Sequence, residues 1–304
     1  MSKKFNPQDY PIIFSTPLRI APHFWAGHIP FAMFLVDILR PKVFVELGTY
    51  YGVSYCAFCQ AVKELKLDTR CYGLDTWYGD GITWGYDKNE VFDDLSKHHD
   101  PLYGSFSRLI RSTFDDALDS FQDGEIDLLH IDGFHPYDAV KHDFETWLPK
   151  MSQRGVILFH DINVREKDYG VWKLWSEISP RYLHFDVFHE HGLGVLAAGT
   201  EVPELLRELL LEPDEQSKLD IRRFFFEMGN TWKPLFDAAW VEYKAVEENK
   251  RLKADLQKIQ SEIEIMQSSR TYRFANRLRS ILNTTLPQGS TMRRLAAKLF
   301  RTTL

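Results

Sequence analysis

Between residues 42 and 197, short apolar runs alternate with longer stretches in which apolar positions recur every three or four residues. The runs KVFVELG (42–48), CYGLDTW (71–77), IDLLHID (126–132) and GVILFHD (155–161) have strand length and are apolar nearly throughout, as expected of strands buried on both faces. VSYCAFCQAVKEL, YDAVKHDFETWLPKM and GVWKLWSEI carry helical spacing, with Val140, Phe144 and Leu148 four residues apart. LIRSTFDDAL holds a short strand passing into a helix, and LHFDVFHE with HGLGVLAAG reads as a closing antiparallel pair. Strands joined by helices of this length predict a mostly parallel α/β sheet covered on both faces, with ligands at the carboxyl ends of the strands.

The flanks differ from this core. Residues 1–40 predict a helical segment or lid, residues 41–200 the α/β core and residues 201–240 a helical, aromatic-rich extension. From residue 241 to 267 the pattern changes: Ala245, Asn249, Leu252, Leu256, Ile259, Ile263 and Met266 alternate spacings of four and three. This is the seam of a short coiled coil, pairing between chains or else packing back on the body, with Asn249 at an a position where a polar residue can set register. Residues 268–304 form two basic amphipathic stretches around a Pro-Gly break, suited to an anionic membrane surface, to a partner protein, or simply to a solubilising tail.

Charge sharpens this division. The chain of 304 residues has a formal net charge of −6, but residues 267–304 hold eight Arg or Lys and no acid, leaving −14 for residues 1–266. An acidic body argues against nucleic acid as a partner. The three cysteines, Cys56, Cys59 and Cys71, make no disulfide framework; the C-x-x-C falls on an apolar helix with no second pair, and core packing is the expectation. IPFAMFLVDIL is too short to span a bilayer and carries Asp37. A cytoplasmic protein is expected, or one peripheral on the inner face of the membrane.

The candidate chemistry lies at strand ends. VELGTYYG closes a strand at Glu46 and opens a Gly48-x-x-x-Gly52 loop before a helix. This is neither the G-x-G-x-x-G of dinucleotide binders nor a lysine-bearing phosphate loop, so a nicotinamide oxidoreductase is disfavoured. Asp75 ends the next strand, where a carboxylate can accept bonds from ribose hydroxyls. Glu46 is placed to orient the loop amides or a cofactor ammonium. Asp132 and Asp161 end two further strands and can converge, with His135 three residues beyond Asp132 and His160 beside Asp161. His142 and Asp143 are expected on the helix surface, and His189 and His191 to be structural first. DTWYGDGITWGY crowds Trp77, Tyr78, Trp84 and Tyr86 among glycines, a candidate lid over cofactor and acceptor or else a satellite core. His23 and His28 are weak candidates in the N-terminal segment.

On VFVELGTYYGVS, YGLDTWYGD, LLHIDGFHPYDAVKHDFETWLPKMSQRGVILFHDI and HGLGVL, covering roughly residues 40–200, the chain resembles the class I S-adenosylmethionine-dependent methyltransferases. Within them it is similar to a bacterial family associated with polysaccharide and glycoconjugate biosynthesis. The resemblance implies a Rossmann-like seven-stranded sheet with an antiparallel hairpin at its end. It implies S-adenosyl-L-methionine (SAM) as cofactor, held by Glu46, Gly48, Thr49, Gly52, Asp75 and Thr76, with Ser112 and Phe114 along the adenine. It also implies O-methylation of a sugar or glycan intermediate, with Asp132 and His160 as catalytic residues; His135, from its place three residues after Asp132 and a pKa near neutrality, is a candidate general base or an additional metal ligand. Metal-dependent relatives place one Asp after strand four and an Asp-Asp or Asp-Asn pair after strand five. That match carries to Asp132, His160 and Asp161 as ligands of Mg2+ or another divalent cation. The histidine at 160 departs from an all-oxygen set and leaves room for a softer ion or for metal-free base catalysis. SSRTYRFANRLR is similar to segments appended to some bacterial glycosyltransferases and their partners. A homodimer through the core or the coiled coil is expected. Two rival readings remain: another small-molecule acceptor, polyketide or phenolic, and a non-catalytic scaffold in a glycan assembly complex.

Overall fold

A computed structural model describes residues 4–78, 88–166 and 168–301. Trp84 and Tyr86 of the aromatic loop lie outside these residues. By internal packing the chain divides into two compact units, residues 1–241 and 242–304.

The first unit is built on seven strands: β1 (Val43–Leu47), β2 (Arg70–Asp75), β3 (Ser107–Arg111), β4 (Ile126–Ile131), β5 (Met151–His160), β6 (His184–Val187) and β7 (Leu193–Ala197). Their order across the sheet is β3-β2-β1-β4-β5-β7-β6, with β7 antiparallel to both its neighbours and every other pair parallel. Every residue of β1, β4 and β7 is buried, as the unbroken apolar runs require when helices cover both faces. The chain reverses direction across the sheet between β1 and β4, and that switch point opens a crevice at the carboxyl edge.

Helix α1 (Ile29–Leu39) has ten of its eleven residues buried, so the N-terminal segment, expected as a helical or lid element, contributes a core helix. Helix α2 (Val53–Glu64) follows the glycine loop and buries ten of its twelve residues, Cys56 and Cys59 among them; all three cysteines are free and buried. Helices α3 (Lys88–Tyr103) and α4 (Phe114–Ala117) flank β3, and Thr113 caps α4 by accepting the Asp116 amide at 3.1 Å. Helices α5 (Tyr137–Trp147) and α6 (Val171–Ile178) cover β4 and β5, packing Phe144, Trp147, Leu174 and Trp175 in one cluster with Leu129, Ile131 and Phe159 of the two strands.

A short helix α7 (Glu204–Leu206) precedes α8 (Glu215–Ser268), a single helix that enters the second unit. In that unit Leu252, Leu256, Ile259, Ile263 and Met266 are all exposed, and α9 (Arg270–Thr285) and α10 (Thr291–Arg301) follow. No helix among the described residues is long and apolar enough to cross a membrane.

Candidate active site

The carboxyl ends of β1, β2, β4 and β5 border a cavity of ≈ 450 Å3, within the range of small-molecule sites. Its floor is the loop after β1. Gly48 has φ +93°, and a Cβ there would stand 2.1 Å from the Asp132 carbonyl oxygen, so only glycine permits β1 and β4 to end this close together. Gly52 has φ +73° and packs against Leu95. Between them Tyr50 holds φ +46°, a left-handed conformation that bulky residues rarely adopt. Asp75 stabilises this shape: its carboxylate accepts the Tyr50 amide at 2.8 Å and the Trp77 amide at 2.7 Å. Burial pushes the Asp75 carboxyl above its ordinary range, against the pull of the loop amides.

Gly48, Thr49, Gly52, Asp75, Thr76 and Phe114, all expected at the cofactor, line the cavity. Two of the expected residues are not among its lining. Ser112 is half-buried, while its neighbours Thr113 and Phe114 line the wall. Glu46 is fully buried behind the loop, where its carboxylate meets His130 Nδ1 at 2.8 Å, the two being paired in register on β1 and β4. Glu46 therefore supports the loop from beneath, and burial raises its pKa.

The other wall holds the polar cluster. Asp161 has φ +63°, which turns its side chain back toward β4. Its carboxylate accepts from His135 Nε2 at 2.9 Å and His191 Nδ1 at 2.9 Å, with His160 Nδ1 at 3.5 Å. His160 Nδ1 also lies 3.1 Å from Asp132 Oδ1. Burial opposes charge on Asp161, but the histidines outweigh it and hold this carboxyl well below the carboxylate range. Burial likewise opposes charge on His160 and His135, and there the two aspartates prevail and raise both.

The side chains whose ligating atoms gather within 4.8 Å are Asp132, His135 and Asp161. His160, expected as the ligand beside Asp161, also lines the cavity, and its Nδ1 lies between the two aspartates, 3.1 Å from Asp132 and 3.5 Å from Asp161. His135, four residues past the end of β4, brings its Nε2 to 2.9 Å from Asp161. The set of two carboxylates and one imidazole fits a divalent ion of borderline softness better than one demanding oxygen alone. His142 is on the surface, bonded to Asp115 at 2.8 Å, as expected. Asp143 is not: it is only 7 % exposed, because α5 turns it under Gly133 rather than outward.

Sequence reasoning undervalued His191, which reaches Asp161 from the turn before β7, and left His130 without a role. It also missed the rim. Phe24 stacks on His191 with centroids 5.2 Å apart and lies 5.3 Å from Trp240, whose Nε1 donates to the His23 carbonyl at 2.9 Å. Tyr169 stacks on His135 at 4.4 Å. These rings come from segments far apart in sequence, and no local spacing could have joined them. Of the weak candidates, His23 lines the cavity, whereas His28 and His189 pack together behind it at 4.7 Å.

The seven-stranded, mostly parallel sheet with its antiparallel hairpin at one end is the Rossmann-like architecture that the resemblance to class I methyltransferases implied. Residues 45–162 match a family described as a methyltransferase domain. A Sinorhizobium fredii protein described as uncharacterized protein y4gI is 47 % identical over 196 residues, 64 % of this chain and 21 % of that protein. The chain thus spans about a fifth of the length of that curated relative. Among solved structures, the SAH-bound Podospora anserina methyltransferase PaMTH1 shares 17 % identity, covers 56 % of this chain and 76 % of its own, and gives a TM-score of 0.42. A methyltransferase from Geobacter sulfurreducens shares 15 % identity over 55 % of this chain and 76 % of its own, at a TM-score of 0.40. At that level the likenesses add nothing to the strand order and the family match.

Proposed function

We propose that this protein is a SAM-dependent O-methyltransferase acting on a hydroxyl of a sugar or glycan intermediate. The observation that carries this reading is the meeting of Asp132, Asp161 and His135 in one wall of the cavity whose floor is the Gly48–Gly52 loop. SAM, when bound, supplies an electrophilic methyl group; the chain must align an acceptor oxygen and take its proton. The glycine loop allows the methionine part to approach the backbone, and Asp75 faces the cavity where ribose hydroxyls would bond. His135, oriented by Asp161 and with its charged form stabilised by that carboxylate, is the group we assign to receive the acceptor proton. Where a divalent ion is held instead, Asp132, His135 and Asp161 would bind it, His135 then acting as a ligand and not as the base, and the ion would acidify the acceptor hydroxyl.

Two features favour a saccharide. The rim presents the faces of Phe24, Tyr169 and Trp240, which suit the apolar faces of a sugar ring. Among the described residues the lining contains no Lys or Arg, which fits an uncharged saccharide better than a nucleotide diphosphate. The same rings favour, as a second reading, a phenolic or polyketide acceptor; methylation of a phenol with no turnover of saccharides would select it. For partners we propose a second copy of this chain, paired along the Leu252–Met266 stripe of α8.

The test is calorimetry of SAM binding to the purified chain, without metal and with Mg2+ or Mn2+. Binding in at least one condition is expected. Failure to bind in all three overturns the enzyme reading, and heat of Mn2+ binding that persists in Asp132→Asn or Asp161→Asn removes the ion from this site.

A further inference from the structure

We propose that α9 and α10 dock the second unit on an anionic lipid bilayer as surface helices. Helix α9 is a bounded element: Ser269 caps its start by accepting the Tyr272 amide at 3.2 Å. Along it Phe274, Leu278 and Ile281 follow spacings of four and three, which places them on one face, and they are 69 %, 40 % and 50 % exposed. Arg270, Arg273 and Arg277 run along one flank of that face by the same helical geometry. On α10, Met292 and Leu295 are likewise exposed, with Arg293, Arg294 and Lys298 on the remaining circumference.

An exposed apolar stripe edged by cations is the pattern that buries in the headgroup boundary while its charges meet anionic lipid. Helices of 16 and 11 residues are too short to cross the hydrocarbon layer, so they lie on it. The charge distribution along the chain adds an argument. Residues 1–266 carry −14 and are repelled by an anionic surface, whereas residues 267–304 carry eight cations and no acid. Attraction is therefore confined to one end of the chain. Nucleic acid would use the arginines but has no use for three large apolar side chains in a row, and an acidic protein would need a matching apolar groove. A bilayer supplies both properties everywhere on its surface.

Full-length protein is sedimented with vesicles of phosphatidylcholine plus phosphatidylserine and with vesicles of phosphatidylcholine alone. Binding to the anionic vesicles is expected, with partitioning at least about tenfold weaker on the neutral ones. Raising salt from about 0.1 M to about 1 M shortens the screening length from about 10 Å to about 3 Å and should release most of the bound protein. The double variant Arg273→Glu/Arg277→Glu should lower partitioning about thirtyfold or more, at about one kcal/mol per basic residue. Phe274→Ser/Leu278→Ser should lower it while leaving the salt dependence in place. Circular dichroism of each variant checks that the helices persist. Equal binding to both vesicle types, unchanged binding of the arginine variant, or retention of single-stranded RNA without retention of vesicles each overturns the proposal.

Discussion

Replacing Asp143 with asparagine should stabilise the protein above neutral pH and leave it unchanged in mild acid. Asp143 is 7 % exposed; a Cβ built on Gly133 would lie 3.7 Å from its Oδ2 and 2.5 Å from the Phe114 ring. Burial, reinforced by Asp115 and only partly countered by His142, raises its pKa from 3.8 to about 7. Between those two values the folded chain holds a proton that the unfolded chain has released. Stability must therefore fall as pH rises through this window, and the full penalty is present above about pH 7. About three pH units at about 1.36 kcal/mol each set the penalty at roughly 4 kcal/mol. Asparagine is nearly isosteric with the protonated acid and cannot ionise, so it should recover most of this. Urea unfolding followed by tryptophan fluorescence, to which the fully buried Trp147 of the same helix contributes, reads the effect. With an m-value of about 2–3 kcal/mol/M, the midpoint should rise by roughly 1.5–2 M at about pH 8.5 and not at about pH 4. An equal shift at both pH values, or a lower midpoint at the higher one, refutes the account of Asp143 as a buried, unpaired acid.

Three other predictions concern the site and the second unit. Asp75→Ala orphans the amides of Tyr50 and Trp77, at about 1–3 kcal/mol for each buried group, and should weaken SAM binding at least tenfold by calorimetry (about 1.4 kcal/mol); unchanged affinity would release Asp75 from the cofactor. Gly48→Ala forces a side chain to within 2.1 Å of the Asp132 carbonyl oxygen. It should cost more than the roughly 1–2 kcal/mol of a left-handed alanine and abolish SAM binding, and a thermal melt matching the parent would contradict the close approach of β1 and β4. Leu256→Glu/Ile263→Glu places charges in the α8 stripe and should convert a dimer to monomer in sedimentation velocity; a parent chain that is already monomeric removes the coiled-coil pairing.

Much of the sheet could be read from the sequence, because a parallel strand covered on both faces leaves a recognisable signature: a short, unbroken apolar run. KVFVELG and IDLLHID correspond to β1 and β4 within a residue or two at each end. The acids ending such runs mark the carboxyl edge, so Asp75, Asp132 and Asp161 could be named before their partners were known. The glycine loop was equally legible, since glycine four residues apart at a strand-to-helix turn answers a local need for positive φ.

What the sequence could not decide is which way each side chain of an adjacent pair turns. His160 and Asp161 are neighbours in the chain. The positive φ of Asp161 turns its carboxylate to meet His135 and His191, while His160, still within the strand, lies between Asp161 and Asp132 and lines the cavity with them. His135 gains its place only because the end of β5 comes to lie opposite the turn after β4. Asp143 and His142 are likewise adjacent, yet Gly133 packs over one and solvent covers the other. His191, Phe24 and Trp240 meet at the rim from stretches of chain far apart, a proximity created by the closing of the sheet and by α8 returning past the N-terminal segment. Local periodicity determines the elements and the strand ends where chemistry can sit; the direction in which each terminal residue turns is set by what packs behind it, and that is a property of the folded chain alone.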